Sequence, residues 1–285
     1  MKKTLLIAVA ALAAGIISTQ AQAVYSQNIV GYVNQVIPGG GQYSMIANPL
    51  MNGTNKASSI LNQLSVNGGE TLFIWNGTGY YVYQYQGLGV GTGLGYQSDW
   101  TDAGANPPAA AIIPGDQADT GDGVYWAPEP LLAPGQGFFM LNPNGNETNT
   151  YTGTVVLTNN LTIPGGGQYS MLASVLPISG GVTNSTINLT KNFSPSGGET
   201  LFAWNGTGYY VYQYQGAGVG TGLGYQSDWT DAGANPPSAP IIPGDQADTG
   251  DGVYWAPTPV LGVGQGFFIL NPNGGEQWIQ NLTIQ

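Results

Sequence analysis

The chain contains no cysteine and no histidine, and its four basic residues, Lys2, Lys3, Lys56 and Lys191, leave no arginine. These absences remove much chemistry before any motif is read. Without cysteine there is no disulfide and no thiolate metal site, so packing and hydrogen bonds must hold the fold. Without histidine there is no Ser-His-Asp or Cys-His relay, and a Ser-Lys pair would have to draw on Lys56 or Lys191. Charge is scarce too: Asp, Glu, Lys and Arg make up 7% of residues, against about 25% in ordinary domains. What charge there is has one sign. With 15 acidic residues against the two lysines beyond the N-terminus, the balance is 2 − 15 = −13. Such a surface repels phosphate backbones, which excludes nucleic acid, and anionic membranes by the same argument. A surface of Gly, Asn, Gln, Ser, Thr and Tyr suits self-association or contact with a neutral polymer such as a polysaccharide.

Long apolar runs are also lacking, apart from Leu5 to Ile17. Lys2 and Lys3 before that run and Ala21-Gln22-Ala23 after it read as a secretory signal over residues 1–23, giving a mature chain from Val24. The run is too short to span a bilayer, and no later stretch approaches the roughly 20 residues needed. The expected localisation is secreted, extracellular or at the cell surface.

What is present is repetition. GGETLFIWNGTGYYVYQYQG from Gly68 returns as GGETLFAWNGTGYYVYQYQG from Gly197, an offset of 129 residues, and 78 aligned positions from Gly68 to Gly145 carry 9 mismatches. A period this long means complete modules rather than solenoid units. The expected units are 24–150 and 151–285. Within each, Glu70 to Trp75, an Asn76-Gly77-Thr78-Gly79 turn and Tyr80 to Gln86 read as a β-hairpin, since Asn-Gly supplies the positive φ a tight turn needs. Short strands are expected at Tyr96 to Trp100, Val124 to Trp126 and Phe138 to Leu141. Ala57, Ile60, Leu61 and Leu64 have helical spacing. The fold class is therefore all-β: two similar antiparallel β-sandwich or barrel-like modules in tandem, with at most a short peripheral helix.

Three groups of residues are candidates for chemistry. The loop Gly115 to Gly123 recurs intact as Gly244 to Gly252, and Asp116, Asp119, Asp122 with Asp245, Asp248, Asp251 can either hold a cation, calcium by its preference for oxygens, or form a solvated acidic turn. In Tyr80 to Tyr85 the strand period places Tyr81, Tyr83 and Tyr85 on one face, opposite Val82. With Val82 packed inward, that stripe, repeated as Tyr210, Tyr212 and Tyr214, can stack on sugars, meet another subunit, or support the sheet through cross-strand pairs. Asp99, Asp102, Glu70 and Glu129 are the carboxylates from which a glycosidase pair would be drawn, although Glu129 becomes Thr258 in the second copy. The Gly87 to Gly95 run fits neither a dinucleotide loop nor a P-loop and reads as a plain loop.

QNIVGYVN behind a signal peptide, YSMIANPL, WNGTGYYVY and PGQGFFMLNPNG together resemble a group of secreted bacterial tandem-repeat β proteins of unassigned activity. The resemblance covers most of the mature chain and implies an extracellular β-rich fold, with no catalytic residue to carry over. The GLGVGTGLG and DWTDAGANPP segments go beyond that pattern. The functional expectation is a secreted, non-enzymatic structural protein that self-associates into a filament, layer or matrix, by strand addition between molecules. The alternative is a tandem carbohydrate-binding module with calcium as its candidate cofactor.

Overall fold

The computed structural model describes residues 29–104, 113–119, 123–233, 242–248 and 252–283. The signal segment, the start of the mature chain to Asn28, and Asp122 and Asp251 lie outside the described residues. Two seven-stranded antiparallel sheets follow one another along the chain, and neither closes into a barrel. In the first unit, β1 (Val30–Ile37), β2 (Gln42–Ala47), β3 (Thr71–Trp75), β4 (Tyr80–Tyr85), β5 (Trp100–Asp102), β6 (Gln117–Ala118), β7 (Tyr125–Ala127), β8 (Gly137–Asn142) and β9 (Glu147–Thr154) appear in chain order, with one-turn helices α1 (Ala57–Ile60) and α2 (Val90–Gly93). The sheet order is β2-β8-β3-β4-β5-β7-β6, and β1 pairs with β9 as a separate ribbon.

The second unit repeats this plan. β10 (Thr158–Ile163) pairs with β20 (Glu276–Asn281) as the ribbon, and the sheet runs β11 (Gln168–Ala173), β19 (Gly266–Asn271), β13 (Thr200–Trp204), β14 (Tyr209–Tyr214), β15 (Trp229–Asp231), β17 (Tyr254–Ala256), β16 (Gln246–Ala247). It also has a small ladder of β12 (Gly180–Gly181) with β18 (Val260–Leu261), a 3₁₀ turn at Leu189–Asn192, and α3 (Val219–Gly222).

The hairpin forms where its turn chemistry requires. Gly77 sits at φ 103°, and the Asn76 side-chain oxygen accepts from the Thr78 and Gly79 N–H groups at 3.1 and 2.9 Å, so β3 and β4 meet in the register Trp75 to Tyr80. The Glu147 to Thr162 connection is no flexible linker. It supplies β9 to one ribbon and β10 to the other.

Each sheet buries both faces. One face lies under its own ribbon: Leu72, Ile74, Phe138 and Met140 pack with Ile37 and Tyr151 in the first unit, and Leu201, Phe267 and Ile269 with Ile163 and Trp278 in the second. Helix α1 joins that first core through Ala57 and Ile60, followed by Leu61. The other face of each sheet turns toward its twin. Met45 and Phe139 meet Met171 and Phe268, ringed by Phe73, Trp75, Tyr80, Phe202, Trp204 and Tyr209. The contact is reciprocal, as in an isologous dimer. Trp75 stacks edgewise on Phe268 at 5.4 Å and its indole N–H donates to Tyr169 O at 3.1 Å, while Trp204 meets Phe139 at 5.3 Å and donates to Tyr43 O at 3.0 Å. Backbone bonds seal it: Ala47 N–H donates to Gly264 O and Ala173 N–H to Gly135 O, at 2.8 and 3.0 Å.

Candidate functional site

The tyrosine stripe is placed on the opposite face from the one expected. Tyr83, Tyr85, Tyr212 and Tyr214 are buried, and Tyr81 and Tyr210 pack against the same cores. The alternation itself holds, but the face bearing Tyr80 and Val82 is turned away from the unit's own core because Tyr80 helps seal the contact between units. Rings under the ribbon belong to the core, and Tyr85 also reaches the wall of a cleft. Burial, followed by the charges of Asp116, Tyr81 and Asp102, pushes the Tyr83 hydroxyl up to about 12.

The acidic loops are drawn onto their sheets. Asp116 comes to rest against Asp102 at the end of β5, and Asp245 against Asp231. Asp102 accepts backbone N–H bonds from Gly104 at 2.9 Å and Ile113 at 3.1 Å. Both Asp116 oxygens are shielded from solvent and meet no donor. Their neighbour is another carboxyl, so the contact is a hydrogen bond only when one of the two carries a proton. Burial first, then the shared bond and the charge of Asp102, raises Asp116 to about 7, and Asp245 rises to about 7 in the same way. Asp119 N–H donates to Val124 O at 2.8 Å and Asp248 N–H to Val253 O at 2.8 Å. Among the described residues no three acidic side chains converge as metal ligands. What two carboxylates do hold together in each loop is an acid pair.

A second pair per unit was not visible as a motif. Glu70 and Glu199 are 0% exposed. One oxygen of Glu70 accepts from Ser65 N–H at 2.7 Å and Asn144 Nδ2 at 3.0 Å; the other meets no donor and faces Glu147. Glu199 repeats this with Ser194, Asn273 and Glu276. Burial, then the charge of and bond to Glu70, raises Glu147 to about 7; burial, then the bond to and charge of Glu199, raises Glu276 to about 8. The signal that could have found them is that Glu147 returns at the same 129-residue offset as Glu276, in a chain that keeps few charges.

Asp99 and Glu129 have other company. Burial alone would raise Asp99, but hydrogen bonds from the Thr92 and Gly89 N–H groups and the Thr92 hydroxyl hold it below the usual carboxylate range. Glu129 accepts from Ser58 N–H at 2.7 Å and lies 3.6 Å from Lys56 Nζ. Both line a cleft of about 470 Å³ in the first unit, between α1 and the loop around α2. Its inner wall includes Leu61, Leu64, Tyr85 and Trp100. At the matching place in the second unit Phe193, which aligns with Leu64, lays its ring against Tyr214 and Trp229 at 5.6 and 6.3 Å. Of the four carboxylates named as a glycosidase resource, then, Glu70 and Asp102 sit in buried pairs, Asp99 is saturated with donors, and Glu129 is ion-paired.

A search of protein families, curated proteins and solved structures finds no match for this chain. The reading of its function therefore rests on the geometry. Among the described residues no helix is long and apolar enough to cross a membrane.

Proposed function

We propose that this chain is a secreted, non-enzymatic structural protein that self-associates into an extracellular filament, layer or matrix through the open edges of its two ribbons. The observation that carries the reading is β1. Val155 N–H donates to Ile29 O, so by the alternation of an antiparallel ladder Gly31, Val33, Gln35 and Ile37 bond β9, and Val30, Tyr32, Asn34 and Val36 aim their backbone groups away from it. Among the described residues no strand pairs with that edge. Its side chains are exposed and uncharged, Val30 at 76%, Tyr32 at 74% and Val36 at 62%.

The opposite edge of the ribbon is guarded. Asn52 and Asn62 side-chain amides donate to Thr152 O and Thr150 O, both at 3.0 Å, and Thr154 exchanges backbone bonds with Met51. Open edges usually carry lysine, proline or a bulge against pairing, and β1 carries none of these. By the same alternation, set by Leu282 N–H donating to Leu157 O, Thr158, Asn160 and Thr162 aim away from β20, and among the described residues no strand pairs with that edge. Pairing β1 of one molecule with β10 of the next, by main-chain hydrogen bonds, is a head-to-tail contact that need not close on itself. Because β1 also completes its own unit, it is shared at the edge rather than handed over.

Two substitutions on exposed side chains test this. Tyr32→Lys with Val36→Lys should leave the fold intact and abolish ordered assemblies seen by electron microscopy and light scattering. Assembly as extensive as that of the unaltered protein, or an unaltered protein that stays monomeric at high concentration, would overturn the reading.

A further inference from the structure

We propose that the cleft in the first unit binds a neutral glycan, a short stretch of a polysaccharide chain. Its volume of about 470 Å³ falls within the roughly 300–1,000 Å³ typical of ligand sites. The lining is amphipathic in the manner of a sugar ring, which has a flat C–H face and a rim of hydroxyls. Leu61, Leu64, Tyr85 and Trp100 supply the apolar wall, and Ser58, Thr92 and Gln97 supply polar groups beside it. Gln97 donates its side-chain amide to Gly115 O at 2.8 Å and its backbone N–H to Gln117 Oε1 at 3.3 Å, and among the described residues its own side-chain oxygen accepts no bond. Ser58 commits its N–H to Glu129, and among the described residues its hydroxyl makes no bond. These groups can exchange hydrogen bonds with hydroxyls without being pulled from the fold.

Charge narrows the ligand further. Asp99 accepts three hydrogen bonds and Glu129 is offset by Lys56, so among the described residues the cleft has no unpaired cation to hold an anionic polymer and no unsatisfied carboxylate to draw a basic one. The second unit supplies a natural contrast. It keeps Tyr214, Thr221, Gln226, Ser227, Asp228 and Trp229 at the matching positions, yet Phe193 replaces Leu64, Ala217 replaces Leu88 and Thr258 replaces Glu129. Two of the 9 mismatches between the copies, Leu88 and Glu129, line this cleft. One unit thus lays an aromatic ring against Tyr214 and Trp229 where the other has Leu64 in the wall of the cleft.

The test is affinity electrophoresis of the mature protein through gels containing xylan, glucomannan, mixed-linkage β-glucan, starch or pectate, followed by calorimetry with the matching hexasaccharide. At least one neutral polymer should retard the protein and pectate should not. Leu64→Phe, which copies the second unit, and Ser58→Arg, on the exposed rim, should each weaken binding at least tenfold with circular dichroism unchanged. Should Leu64→Phe fail to fold, Ser58→Arg decides alone. Absence of retardation by every neutral polymer, retardation by pectate alone, or binding that survives Ser58→Arg would overturn the proposal. The Tyr32→Lys, Val36→Lys protein should bind glycan normally, which separates this site from assembly.

Discussion

The two units share nearly every turn, yet they close their sheets with opposite residues. In the first ribbon Asn149 stands where the second has Trp278, and Tyr151 stands where the second has Gln280. Each of the four is buried and each is satisfied. Asn149 Nδ2 donates to Ile60 O at 2.9 Å, Asn149 Oδ1 accepts from Asn62 N–H at 3.0 Å, and Tyr151 donates its hydroxyl to Gln35 Oε1 at 3.0 Å. Trp278 donates to Ile187 O at 2.6 Å, and Gln280 takes Val175 N–H and gives to Ser174 Oγ at 3.1 and 3.0 Å. An aromatic ring and an amide have exchanged places along one strand face. The lesson is that a ribbon must cover the sheet with one large ring and tie down the neighbouring loop with one amide, while the order of the two is free. The loops that receive the amides, 48–67 and 174–196, are where the copies diverge most, so ring, amide and loop changed together.

The comparison breaks most visibly at the contact between units. Phe139 and Phe268 occupy equivalent, mostly buried places there, so Phe139→Ala and Phe268→Ala should each cost about 3–5 kcal/mol of stability. Equal losses in urea denaturation, and a double variant that loses less than the sum because the two rings share partners, would confirm reciprocity. A large loss from one and a small loss from the other would mean that the units lean on each other unequally.

The acid pairs should respond to pH in parallel in both units. Asp116, Asp245 and Glu147 titrate near 7 and Glu276 near 8 when folded, against about 4 for ordinary carboxyls. The folded state therefore holds protons that the unfolded chain gives up, so this contribution is complete below about pH 4 and is lost as pH rises through 7 to 8. The melting temperature is expected to fall by several degrees between pH 5 and pH 8.5. Asp116→Asn with Asp245→Asn replaces the shared proton by an amide donor in each unit and should flatten the fall. A profile that rises with pH would show that the pairs are not proton-sharing.

Calcium should have the smallest effect. With the pairs ionised at pH 8, millimolar calcium is expected to raise the melting temperature by a small amount that grows with free calcium, as mass action requires. Asp119→Ala with Asp248→Ala should remove that rise. An unchanged melting curve across the titration would leave the loops without a cation role.

Much of this arrangement was legible in the chain. The hairpin at Asn76-Gly77 was readable because turn chemistry is local, and the two units were readable because 78 aligned positions with 9 mismatches leave little choice. The direction in which Tyr81, Tyr83 and Tyr85 point was not. Alternation tells the two faces of a strand apart but does not say which is inside, and here both are covered, one by the ribbon and one by the other unit. Glu70 lies 77 positions from Glu147, and Asp102 lies 14 from Asp116 across a loop, so their pairing depended on the path of the chain between them. Nor could Leu64 against Phe193 reveal a cleft, because a side chain leaves a hollow only relative to neighbours that the fold supplies.

By itself the sequence determined that there would be two β units, that neither disulfides nor histidine chemistry would serve them, and that their surfaces would carry little charge. Those properties follow from composition and from contacts a few residues apart. Tertiary structure alone decided that the twins would face each other through Trp75 and Trp204, that four pairs of acids would be pressed together, and that among the described residues one edge and one cleft of the first unit would stay uncovered. Each of these depends on which surfaces remain after the two sheets have covered each other, and that is a property of the packed whole.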